Sequence, residues 1–79
     1  MKLVLIEWLD SDLWTTWTRE DPAVGPINCK SVGWLLHDGD RSKTIAGHTT
    51  IEKDPQRAGM MVIPSCCIVK IVEIQVPGE

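Results

Sequence analysis

The chain has no phenylalanine and no tyrosine. Its four tryptophans must supply all the large aromatic packing available to 79 residues. A glycine-rich phosphate cradle is also missing. Neither GxxxxGK nor GxGxxG occurs, which excludes the loop-bound nucleotide folds that depend on them. Cysteine is sparse and odd in number: Cys29, Cys66 and Cys67. No Cys-x-x-Cys spacing is present, His37 and His48 stand alone, and adjacent cysteines point in different directions, so no zinc site is expected. The same arithmetic argues against a disulfide framework and for reduced, buried thiols in a cytosolic protein.

Catalytic signatures are lacking too. A pairing of Cys29 or Cys67 with His48 has no nucleophile elbow or oxyanion-hole motif around it. Glu7, Asp10 and Asp12 follow an apolar run and read as solvated loop carboxylates, not as an acid–base pair. An enzyme is therefore not expected, and neither is a cofactor. There is no cationic excess: the formal net charge is −3, which disfavours a protein that coats nucleic acid by neutralising phosphates. The apolar start Met1–Ile6 stops at Glu7, too soon for a signal peptide or a membrane span.

What is present is β-branched and alternating. With 43% hydrophobic and 24% charged residues the composition is that of one ordinary globular domain, rich in valine and isoleucine. Strands are predicted over 2–9, 28–37, 43–50, 60–64 and 68–74. In the first, apolar residues occupy both faces, as in a strand buried twice. In the second, Trp34 is expected in the core, and the small Ser31 and Gly33 leave room for something bulky across them, a tryptophan or a ligand. Asp38-Gly39-Asp40-Arg41 reads as a hairpin turn using glycine at positive φ. Ile45 anchors the third strand, Gly47 marks a bend, and 54–59 is a polar loop. Asp10-Ser11-Asp12 can cap a short helix over 11–17, although Thr15-Thr16 suits an extended arm equally. Pro64–Cys67 is read as one 3₁₀ turn.

Five short strands with a 3₁₀ turn before the last predict a mostly β fold, a small SH3-like or Sm-like barrel spanning residues 1–79. An open antiparallel sheet crossed by an 11–17 helix is the alternative. Candidate ligand contacts are Trp14 and Trp17 for stacking, and Lys30 and Arg57 for an anion. His48 and Thr49 could hydrogen-bond, and Ser31 belongs to the small-residue floor. Against these stand plainer roles: core packing for the tryptophans and solvation for Arg57.

Three blocks carry a resemblance. They are Glu7-Trp8-Leu9-Asp10, then Cys29-Lys30-Ser31-Val32-Gly33-Trp34-Leu35, and the ending Met60-Met61-Val62-Ile63-Pro64 with Ile68-Val69-Lys70-Ile71. They fit a pattern of W-x-D, C-[RK]-S-V-G-W-[LI] and G-x-M-x-I-P, and the chain resembles a family of small proteins from tailed phages and prophages. That resemblance implies a bacterial cytoplasm as the setting; it brings no catalytic residues. Segment 11–27 lies outside the pattern. The expected function is counter-defence: sequestering a nucleotide-derived immune signal without catalysis, as a homo-oligomer. The alternatives are a protein-directed inhibitor or adaptor of a host enzyme, acting through an acidic, tryptophan-bearing 7–21 surface, and an Sm-like nucleic-acid binder.

Overall fold

A computed structural model describes residues 1–11, 17–21 and 25–77. Its elements are β1 (Leu3–Asp10), β2 (Ile27–Asp38), β3 (Ser42–Thr49), β4 (Arg57–Pro64), a 3₁₀ turn at Ser65–Cys67, and β5 (Ile68–Ile74). The five strands form one antiparallel sheet in the order β4-β3-β2-β1-β5. The sheet is not closed: β4 and β5 are its two free edges. Every expected strand forms. The fourth begins at Arg57, earlier than expected, so half of the supposed polar loop is strand. The helix alternative over 11–17 falls on 12–16, outside the described residues.

β2 organises the sheet. Its 27–34 portion pairs with β1, from Asp10↔Ile27 to Leu3↔Trp34, while Trp34–Asp38 pair with β3. A register shift between Leu35 and His37 bends the strand where it changes partner. The bend folds the two halves of the sheet toward each other. Next to this bend Gly33 lies tight against β3: a Cβ there would lie 2.8 Å from the Ala46 carbonyl oxygen and 3.0 Å from the Ile45 Cβ. The expected bulky neighbour of the small-residue face is therefore protein. Trp8 fills the rest of that space, donating its indole N–H to Ser31 Oγ at 3.0 Å.

The core between the halves is small. Val4, Ile6, Ile45 and Ile63 are buried together, with Trp8, Leu35 and Ile68 packed against them. Full burial of a side chain such as Ile6 or Ile63 is worth about 1.5–3 kcal/mol. No polar or charged residue is buried among the described residues. The 3₁₀ turn packs on β1 and β3 and carries the chain from one free edge of the sheet to the other.

Three expectations are corrected. Trp34 is outside the core: it shares its face of the sheet with Val32 and Leu3, opposite to Gly33 and Leu35, and is half-buried. Strand alternation alone decides this, because the core already owns the odd-numbered face of β2 at 31, 33 and 35. Gly39 does not use positive φ; among the described residues only Gly25 and Gly59 do. The turn closes through the Gly39 N–H to the Ser42 carbonyl at 3.0 Å. A Cβ at Gly39 would meet the His37 imidazole at 2.5 Å, so space is what glycine provides there. The cysteines are not buried: Cys66 is exposed, and Cys29 and Cys67 are half-exposed.

Candidate functional site

The loop between β3 and β4 gathers most of the candidate residues. Thr49 and Arg57 stand directly opposite each other at the mouth of the hairpin, and His48 is opposite Ala58. The loop beyond is tied shut. Thr50 N–H donates to the Gln56 carbonyl at 2.9 Å, and Gln56 N–H donates to Thr50 Oγ1 at 2.8 Å. Gly59, at φ +66, lies 3.3 Å from the His48 ring as an added Cβ would see it, so this part of β4 admits little besides glycine.

Two open hollows flank the Thr49–Thr50 ridge. On one side, about 200 Å³ is lined by His48, Gln56, Arg57 and Ala58. On the other, about 400 Å³ is lined by Met1, Trp34, Ile51, Glu52 and Pro55. Trp34 is the signal that composition misassigned. It stands opposite Ala46 of β3 and lines this second hollow. Arg57 bridges the two sides, its guanidinium Nη2 donating weakly to Met1 Sδ at 3.8 Å. Among the described residues no carboxylate pairs with Arg57, whereas Lys2, Lys30 and Lys43 each have one. An unpaired guanidinium keeps its planar fork of donors available for a phosphate or carboxylate.

The remaining candidates lie elsewhere. Lys30 sits 3.7 Å from Glu7 and lines a separate hollow of about 220 Å³ with Trp8, Asn28, Cys29 and Val69. Ser31 faces the core, bonded by Trp8 and 4.0 Å from Met61 Sδ. Trp17 is fully exposed and lines neither side of the Thr49–Thr50 ridge. Trp14 lies outside the described residues. His48, Thr49 and Arg57 are thus brought together; Trp17, Lys30 and Ser31 are not.

The ionisable groups elsewhere are simple. Lys43 holds the Asp38 carboxyl below the usual carboxylate range, first by a hydrogen bond and then by its charge. Hydrogen bonding with Cys66, 4.0 Å away, raises the Cys67 thiol above its ordinary value. No group of three or more metal-ligating side chains exists among the described residues. No helix among them is long and apolar enough to cross a membrane. No family model matches the chain, and neither a curated protein nor a solved structure is similar to it.

Proposed function

We propose that this chain is a non-catalytic binding protein, built as an open SH3-like barrel, that sequesters a nucleotide-derived signal in the groove around Thr49 and Thr50. Trp34 would stack on the base, and Arg57 would hold a phosphate with His48 and Thr49 as hydrogen-bonding neighbours. One observation carries the reading: an arginine without a carboxylate partner among the described residues lines a hollow that adjoins a second one walled by a half-buried tryptophan. That is a layout for an anion joined to a flat ring. The resemblance to phage and prophage proteins supplies the setting, counter-defence in a bacterial cytoplasm. The residues retained from the sequence are His48, Thr49 and Arg57; Trp34 takes the stacking role first given to Trp14 and Trp17.

Titration calorimetry against a panel of cyclic oligonucleotides and ADP-ribose-type nucleotides tests this. Heat from at least one member is expected, weakened about tenfold or more in Trp34→Ala and in Arg57→Ala. No heat from any member overturns the reading.

A second reading has its own observation. Trp17 is fully exposed beside the acidic Glu20 and Asp21, as a protein-directed hot spot would be. An inhibitor or adaptor of a host defence enzyme would recover a stoichiometric partner from host lysate and lose it in Trp17→Ala. Nucleic acid is the weaker alternative on charge, and retention in a low-salt filter assay would be needed to revive it.

A further inference from the structure

The two free edges of the sheet are complementary to each other. Their protection against pairing is light: β4 has no charge between Arg57 at its start and Pro64 at its end, and β5 has no proline, its only charges being Lys70 and Glu73. Both expose apolar side chains, Met60 and Val62 at 63% on β4, and Val69 at 64% with Ile71 and Val72 on β5. We infer that β4 of one copy pairs antiparallel with β5 of a second copy, and that this contact completes the anion site. The inference deepens the binding reading above by naming the partner and the residues it contributes.

Charge and alternation select the register. Arg57 shares a face of the sheet with Ile63, and Glu73, opposite Val4, shares the face that carries Ile6. Placing Arg57 against Glu73 of the neighbouring copy joins the two core-side faces and sets an unpaired cation beside a carboxylate. The same alignment brings Ile71 of the neighbour against Gly59, which has no side chain of its own on that edge. An antiparallel pairing also carries the far end of the neighbour's β5 to the mouth of the β3–β4 hairpin. There the neighbour's hollow of about 500 Å³, lined by Lys2, Glu73 and Gln75, adjoins the one lined by His48 and Arg57. Glu73 already lies 3.9 Å from Lys2. The resulting group of Lys2, Glu73 and Arg57 is net cationic. One edge of the guanidinium is then held by the carboxylate while the other edge is left for a phosphate. The contact is heterologous, and the discrete assembly it predicts is a closed ring.

Native mass spectrometry and light scattering of the full chain without ligand provide the test, so that its result is independent of any nucleotide titration. Wild-type protein is expected as a discrete oligomer. Arg57→Glu and Glu73→Arg, each checked for folding by circular dichroism, should each weaken association about tenfold by opposing like charges. Their equimolar mixture should restore it, because every contact in an alternating assembly then joins opposite charges. A monomeric wild type overturns the inference. So does association that neither reversal weakens, or that mixing fails to restore, as expected if copies meet instead through the outer face bearing Val32, Leu5 and Val72.

Discussion

Trp8 and Ser31 are joined diagonally across the β1–β2 ladder: the indole N–H donates to Ser31 Oγ at 3.0 Å, although the direct partners of these residues are Cys29 and Ile6. The bond fixes the ring over the small-residue face. Trp8→Phe keeps most of the apolar area and removes the donor, so it should cost about 1 kcal/mol beyond the loss of ring size. Ser31→Ala should cost a similar amount. In urea unfolding the double variant should fall short of the sum of the singles, because both remove the same bond. Strict additivity would show that the bond contributes nothing.

Gly33 is where β2 lies tight against β3. Gly33→Ala places a methyl 2.8 Å from the backbone oxygen of Ala46, an atom that cannot rotate away. A loss of about 1–3 kcal/mol is expected, read from the denaturation midpoint. An unchanged midpoint would mean that β2 and β3 separate freely at this point.

The core has little redundancy. Ile63 comes from a free-edge strand yet is 1% exposed, so Ile63→Ala should destabilise by about 2–5 kcal/mol. The neighbouring Val62→Ala, at an exposed position of the same strand, should change stability little by comparison. Equal effects at 62 and 63 would contradict the alternation along β4.

Asp38 titrates below the ordinary carboxylate range because Lys43 hydrogen-bonds to it. Its folded pKa is thus lower than its unfolded one. The associated stability is complete above the unfolded value and is lost as pH falls through the folded value. Asp38 is exposed, so the pair's share is small. In Lys43→Met, side-chain carboxyl NMR should show the Asp38 titration moving up toward the ordinary range.

The two neighbouring thiols should differ in reactivity. Cys66 is exposed, whereas Cys67 is half-buried and its pKa is raised, chiefly by its hydrogen bond with Cys66. Since the thiolate is the reactive form, limited iodoacetamide at mildly alkaline pH should label Cys66 ahead of Cys67. Peptide mapping reads the order.

The strands were legible because their signal is local: alternation and β-branching mark 68–74, and Gly39 and Pro64 sit at the chain's reversals. Ile45 could be picked as an anchor because it is the single large apolar residue in a polar stretch. Trp34 could not be assigned in the same way. Both faces of β2 carry apolar residues there, and which face is inside depends on where the strand bends. The site shows the same division. His48, Thr49 and Arg57 were named as separate polar residues, but their meeting depends on a register set eight residues apart across a hairpin whose far strand begins at Arg57. Arg57 was expected in a loop; as a strand residue it is held in place.

The pairing of Leu3 with Ile74 has a consequence for synthesis. While the chain emerges from the ribosome, β1 to β4 can align as successive neighbours, but the second side of β1 stays empty until β5 is released. Val4 and Ile6, buried in the finished sheet, are covered there by Glu73 and Ile71, from the fifth strand to be made. The nascent protein must therefore carry an open apolar strand until β5 emerges, and its commitment to the native sheet waits on that strand.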